Sequence, residues 1–218
     1  VDLEVMEAME QMAQRLEIVS AERIRAELER LLLSPYPRRG LELLVHTGIC
    51  DIVLPEVSAL QDTVDEHRRH KDVYEHTLTV LQQAMDLETG PDGAVPGPDL
   101  RLRLAALMHD IGKPATRRFM PDGTVTFHAH DYVGARMTAK RMRALHFDKQ
   151  TIKDVSRLVE LHLRFHGYAD SPWSDSAVRR YVTDAGPLLA RLGCLTRADV
   201  TTGNRRKAAM LSHAYDDL

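Results

Sequence analysis

The sequence predicts an all-α protein: a helical segment followed by a helical bundle, with one small β-hairpin near residues 118–128 as the only competitor to helix. Three observations predict this. Apolar residues recur at three- and four-residue steps, as in Ile24, Leu28, Leu31 and Leu32. Prolines and glycines gather between such stretches, three of each across 89–99. Only the Pro121-Asp122-Gly123 turn, flanked by Val125 and Phe127, carries a hairpin signature.

Taken in order, the opening is helical, with Met6, Met12, Leu16 and Ile18 as its apolar face and a break near 17–19. Ser20 is placed to cap a second helix from Ala21 to about Leu33, although Arg23 rather than Glu stands at the capping-box position. Ser34-Pro35-Tyr36-Pro37 stops it. A short helix over 40–47 follows, with Gly48 just past its end and Pro55 in the connection. The polar stretch 61–71, which holds His67 and His70, reads as a solvated link, so the chain divides into 1–66 and 67–218.

Beyond the link, 72–87 is an amphipathic helix with Val73, Thr77, Val80, Leu81 and Ala84 on one side, and 89–99 is an exposed loop. Residues 100–111 are nearly continuously apolar after their arginines, the pattern of a buried helix, ended by Gly112 and Pro114. Further helices are expected over 131–145, 149–165, 175–185 and 187–202.

Composition excludes several classes. The 218 residues, 44% hydrophobic and 28% charged, suit an ordinary globular chain of one large or two small domains. The longest apolar runs, such as Leu104–Met108, are too short to span a bilayer, and no secretory opening is present. No membrane partner is therefore expected. Two cysteines, Cys50 and Cys194, without a CxxC pair argue against a disulfide framework or a cysteine zinc site, and make the cytoplasm the expected location. A net charge of −3 argues against a chain that coats nucleic acid, and 5% aromatics argue against a stacking platform for single-stranded bases.

Histidine is enriched, with eleven copies, and two of the places it occurs carry chemistry. His109 and Asp110 sit side by side at the end of the apolar helix. A buried carboxylate there is costly, because desolvation disfavours it and the helix dipole is negative at that end. A divalent cation removes both objections; a His–Asp pair bonded only to each other is the plain alternative. Small Ala105 and Ala106 one turn earlier leave room for neighbouring helices to bring ligands close. His76 lies at the edge of an amphipathic helix, and Asp199 follows an apolar run from Leu188 to Leu195.

The order of His76, then His109-Asp110, then the distant Asp199 resembles the signature of the HD superfamily of metal-dependent phosphohydrolases. The resemblance implies a divalent metal (Mg, Mn, Ni, Co or Fe) on these four residues, with Asp110 and Lys113 catalytic and the Lys113 ammonium facing the phosphate. His128 and His130 share a face if their stretch is a strand, as do His162 and His166 on a helix. Of these, His130 and His162 better match the superfamily's second-metal ligands; a surface or core-edge position is the alternative. His46, His67, His70, His146 and His213 read as solvated or hydrogen-bonded side chains.

Several segments also resemble the C-terminal part of bacterial tRNA nucleotidyltransferases, the CCA-adding enzymes and their poly(A) polymerase relatives. Arg15 to Leu28, with Ser20-Ala21-Glu22-Arg23-Ile24, is similar to the family's neck helix. Arg39 to Leu44, Gly48-Ile49 and Leu54-Pro55-Glu56 are similar to its body. His70 to Leu78, His109 to Pro114, His162 to Phe165 and Arg197-Ala198-Asp199 are similar to its appended HD domain. The Gly-Gly-x-x-Arg-Asp loop, the Asp-x-Asp pair and the Glu-Asp-x-x-Arg segment of nucleotide addition are missing from this sequence. The chain is thus expected to be a fragment that adds no nucleotides alone.

The resemblance implies a neck and body over 1–66 and an HD domain over 67–218. It also implies the tRNA acceptor arm as partner, and 2′,3′-cyclic phosphates, 2′-nucleotides and phosphomonoesters as substrates. Arg117, Arg118, Lys140, Arg141, Arg205 and Arg206 are candidate RNA contacts, the alternative for each being a solvated helix face. A non-catalytic tRNA-binding body with a structural metal site is the second reading. A cyclic-dinucleotide phosphodiesterase ranks last, since His166-Gly167-Tyr168 lacks that motif's proline.

Overall fold

In the computed structural model, which describes residues 2–63, 73–165 and 173–200, helices account for nearly all regular structure. Asp2 caps α1 (Leu3–Met12) by accepting from the Glu4 backbone N–H. A 3₁₀ turn over Ala13–Ile18 follows. The expected apolar face of this opening is only partly realised. Ala13 is buried and Leu16 packs on the core, whereas Met12 and Ile18 face solvent, Ile18 at 88% exposure. Tightening to three residues per turn rotates Ile18 out of the row that α1 began.

Helix α2 (Ala21–Leu33) starts after the extended Ser20 and buries Leu28 and Leu32. Pro37 is the first residue of α3 (Pro37–His46), three residues before the expected start; a proline there loses no helical hydrogen bond. Gly48 adopts φ 70 and turns the chain into α4 (Ile49–Val53), after which Pro55 opens α5 (Pro55–Ser58).

The centre of the molecule is α7 (Leu100–Met108), buried throughout 102–108 and packed by α6 (Val73–Asp86), α10 (Lys149–Leu161) and α12 (Leu189–Asp199). Helix α9 (His130–Ala144) lies along α10. The short α8 (Lys113–Thr116) leads into the hairpin of β1 (Arg118–Phe119) and β2 (Val125–Thr126), antiparallel with Arg118 opposite Thr126. Helix α11 (Asp175–Ala185) and a 3₁₀ turn over Gly186–Leu188 precede α12. The hairpin is where the sequence placed it. Three helices end early: the buried one at Met108 rather than 111, α10 at Leu161 rather than 165, and α12 at Asp199 rather than 202.

One hydrophobic core runs from Leu28, Leu32 and Leu41 through Leu81 and Leu104 to Leu158 and Leu192. Buried charges clamp it. Arg103 pairs with Glu88 at 2.7 and 2.6 Å and donates to the carbonyls of Leu32 (2.6 Å) and Ser34 (3.0 Å), tying the end of α2 to α7. Asp99 caps α7 through Leu102 N (2.8 Å) and holds Arg191 of α12 at 2.7 Å, so the loop over 89–99 is exposed except at Val95 and Asp99. No described helix is long and apolar enough to cross a membrane.

Candidate metal centre

Five helix ends and one helix side deliver the candidate residues to one place. His109 and Asp110 follow the last turn of α7, and Lys113 begins α8. His130 begins α9, His162 closes α10 and Asp199 is the last residue of α12, while His76 projects from the side of α6 near its described start. Side chains at helix ends converge without blocking one another's backbone, which is why so many polar groups fit in a buried space.

The distances are short. His76 Nε2 lies 3.0 Å from Asp199 Oδ1, 3.4 Å from His109 Nε2 and 3.5 Å from Asp110 Oδ2. His109 Nε2 lies 3.2 Å from Asp110 Oδ2 and 3.4 Å from Asp199 Oδ1. On the other side of the same carboxylate, His130 Nε2 is 3.2 Å from Asp110 Oδ1. His162 sits between the two groups, its ring centroid 5.3 Å from that of His109 and 5.4 Å from that of His130. Ligand atoms of His76, His109 and Asp110 all lie within 4.8 Å of one another, as do those of Asp110, His130 and His162. Asp110 is common to both groups.

Three histidines are oriented alike. His109 Nδ1 donates to Ala106 O (2.8 Å), His130 Nδ1 to Phe127 O (2.8 Å) and His162 Nδ1 to Val159 O (2.6 Å). A carbonyl only accepts, so each Nδ1 carries a proton and each Nε2 is left as the lone-pair nitrogen when the ring is neutral. Neutral rings so held would aim lone pairs at carboxylate oxygens, which is repulsive. A cation among them turns that repulsion into ligation, and backbone-held imidazoles are the usual outer support of a metal ligand. The donor set therefore fits a divalent metal.

The electrostatics say the same. Burial disfavours charge on His109, yet Asp110 and Asp199 outweigh it and raise this imidazole to about 10. Burial would also favour neutral acids, but His109, Lys113 and His130 hold Asp110 well below the usual carboxylate range, and His109 and His76 do so for Asp199. Burial, reinforced by the charge on His109, pushes His162 down to about 4, so its ring is neutral at physiological pH. The pocket draws a positive charge while keeping His162 as a free-base donor.

Lys113 places its ammonium 2.9 Å from Asp110 Oδ2 and 5.6 Å from the centroid of Phe127, inside the acid cluster. His128 is exposed, unlike the buried His130. The strand ends at Thr126 and Ala129 turns with φ 61, so the two do not share a face as an extended stretch would require. Helix α10 ends at Leu161 with His162 as its C-cap, and His166, its expected partner on a shared face, lies outside the described residues. His46 is exposed and 3.9 Å from Glu10, and His146 bonds Glu22. His67, His70, His213, Arg205 and Arg206 lie outside the described residues.

Among the candidate RNA contacts, Arg141 forms a bidentate pair with Glu56 (2.8 and 3.0 Å) that joins α9 to α5. Arg117 donates to Asp62 O at 3.0 Å, and Arg118 and Lys140 are exposed. Phe127 and the Gly112–Gly134 contact were missed as parts of the site. The three-residue spacing from Phe127 to His130, the same as from Ala106 to His109 and from Val159 to His162, is the signal that could have found Phe127. A Cβ built on Gly112 would stand 2.1 Å from His130 O and 2.7 Å from Gly134 N, so α9 reaches the His109-Asp110 turn only over a bare backbone.

Fold and centre together define an HD domain: that family's model matches residues 73–204, and the chain belongs to the family. HD domains bind divalent metals, and the groups that could hold one are those just described. A second family model, the probable RNA and SrmB-binding site of polymerase A, matches residues 1–60. The chain is 36% identical over 188 residues to an A-adding tRNA nucleotidyltransferase of Deinococcus radiodurans, covering 86% of this chain and 41% of the relative. It is 35% identical over 200 residues to a CC-adding tRNA nucleotidyltransferase of Thermus thermophilus, covering 90% of this chain and 43% of the relative. A multifunctional CCA protein of Neisseria gonorrhoeae is 32% identical over 148 residues, covering 67% and 33% respectively. The resemblance read from the neck, body and HD segments is thereby borne out. The chain spans less than half the length of these relatives.

Proposed function

We propose that this chain is the C-terminal portion of a tRNA nucleotidyltransferase, and that its HD domain, over 67–218, is a metal-dependent phosphohydrolase. Its substrates are RNA-type phosphoesters, namely 2′,3′-cyclic phosphates, 2′-nucleotides and phosphomonoesters. The neck and body over 1–66 hold the tRNA acceptor arm, and the protein works in the cytoplasm.

The observation that carries this reading is the meeting of His76, His109, Asp110 and Asp199 at 3.0–3.5 Å around one buried point. These four would hold one divalent cation (Mg, Mn, Ni, Co or Fe). Asp110 Oδ1, His130 and His162 would hold a second. When bound, such a cation supplies an activated water and neutralises phosphate charge. Lys113 keeps an ammonium at the same centre, where it offsets charge growing on the phosphoryl oxygens. Phe127, stacked beneath that ammonium, limits the water around it and so strengthens its field.

The test is metal content of the purified chain by elemental analysis, followed by hydrolysis of bis-p-nitrophenyl phosphate and 2′,3′-cyclic AMP with Mg, Mn, Co and Ni. Wild type should turn over with at least one metal and Asp110→Ala with none. The match of the RNA-binding model to residues 1–60 favours a second reading, a tRNA-binding body with a structural metal. Salt-sensitive tRNA binding without hydrolysis would select it.

A further inference from the structure

The hairpin between α8 and α9 exposes two large apolar side chains next to each other. Phe119 is 74% exposed and its neighbour Met120 44% exposed, at the turn end of the hairpin. The Arg117 guanidinium stands 5.4 Å from the Phe119 ring centroid and is tethered by its bond to Asp62 O. Arg118 is exposed too, on the other face of the strand. An aromatic ring with cationic planes beside it is how single-stranded nucleic acid is gripped: the base stacks on the ring while the guanidinium meets the phosphate.

The hairpin is also continuous with the metal centre at both ends. Lys113, which lies against Asp110, is only four residues before Arg117. On the return strand, Val125 pairs with Phe119, and Phe127 then supplies the carbonyl that orients His130. From Val125 to Phe127 is roughly 7 Å of chain and the step across the strand pair adds about 5 Å, a path of one or two nucleotides from Phe119 to the residue that touches Lys113. The path continues along α9, whose open face carries Tyr132, 57% exposed, and then Arg136 and Lys140 at four-residue steps. The chain has few aromatics, which argues against an extended platform; one base needs only one ring.

We propose that the hairpin, through Phe119 with Arg117, is a stacking platform for a nucleotide close to the scissile phosphoester, so that the substrate is the end of a single-stranded RNA rather than a free mononucleotide. The inference rests on the phosphohydrolase reading of the centre. Its occupant is RNA and not a protein surface, because the exposed apolar area stops at Phe119 and Met120, one guanidinium already stands over the ring, and the exposed cations Arg136 and Lys140 follow on α9.

The experiment compares wild type, Phe119→Ala and Arg136→Glu/Lys140→Glu on two substrates, 2′,3′-cyclic AMP and a short oligoribonucleotide ending in a 2′,3′-cyclic phosphate. Phe119→Ala should lower the ratio of kcat/KM for the oligonucleotide to that for the mononucleotide about tenfold, mostly through KM. The charge reversals should lower it more at low salt than at high. An unchanged ratio in Phe119→Ala overturns the platform. If wild type hydrolyses neither substrate with any metal, the phosphohydrolase reading fails. Fluorescence anisotropy with the same oligonucleotide then decides the platform: about tenfold weaker binding by Phe119→Ala sustains it, and equal binding overturns it. Self-association that Phe119→Ala abolishes, with RNA binding intact, likewise overturns it.

Discussion

Gly112 meets His130 backbone to side-chain-free backbone: any Cβ on residue 112 would lie 2.1 Å from the His130 carbonyl oxygen. The turn carrying Asp110 and the first turn of α9 are thus in contact through a glycine. The positions of both metal-ligand groups depend on that contact.

Gly112→Ala should therefore force α9 away from the His109-Asp110 turn. The backbone at Gly112 has φ −77, so the effect is steric and not conformational. Overpacking of this kind costs about 1–3 kcal/mol. Urea denaturation should show that loss, and calorimetric titration with Mn should show weaker binding. Wild-type stability and affinity in the variant would remove the contact's importance.

Asp110 offers one oxygen to each histidine group, so Asp110→Asn should weaken both. His162→Ala should remove a donor from one group only. Metal stoichiometry by elemental analysis should fall from two to one in His162→Ala and below one in Asp110→Asn. A stoichiometry of one in wild type, unchanged by His162→Ala, would reduce the centre to the His76 group.

The raised His109 makes metal binding a proton-releasing event. Its folded value is about 10 against an ordinary 6.5. In the metal-free protein this proton contributes stability that is fully present below pH 6.5 and lost as pH rises through about 10. A cation must displace it, so apparent metal affinity should rise by up to about tenfold per pH unit from neutrality toward pH 10. Calorimetry at pH 7 in buffers of different ionisation enthalpy should report close to one proton released by this residue. A pH-independent affinity over that range would show that His109 is already neutral.

Arg103 and Glu88 form a buried pair, with side chains 6% and 8% exposed. Arg103→Met would strand the Glu88 carboxylate and the carbonyls of Leu32 and Ser34. Removing one member of such a pair costs about 3–5 kcal/mol. Chemical denaturation should show that loss, and Arg103→Met/Glu88→Gln should recover part of it.

Much of the fold was legible because it is local. Three- and four-residue apolar spacing marked α2 and α6, a nearly continuous apolar run marked α7, and Pro-Asp-Gly marked the hairpin. Helix ends were less so: α3 begins at Pro37 because a proline that stops one helix also opens the next, a choice made by packing. The site residues His76, His109, Asp110 and Asp199 could be named from residue type and order. Their meeting could not, since His76 and Asp199 are 123 positions apart.

By itself the sequence determined where the longer helices lie, though not the short α4, α5 and α8, that α7 is buried over most of its length, and which imidazoles and carboxylates are candidates for a cation. Tertiary structure alone decided that Asp110 turns one oxygen to each histidine group, that His130 is buried while His128 is exposed, and that Arg141 is held by Glu56. The reason is physical. Periodicity and turn chemistry act between residues a few positions apart, whereas the field at a buried carboxylate is set by whatever side chains distant helices bring within 3–4 Å.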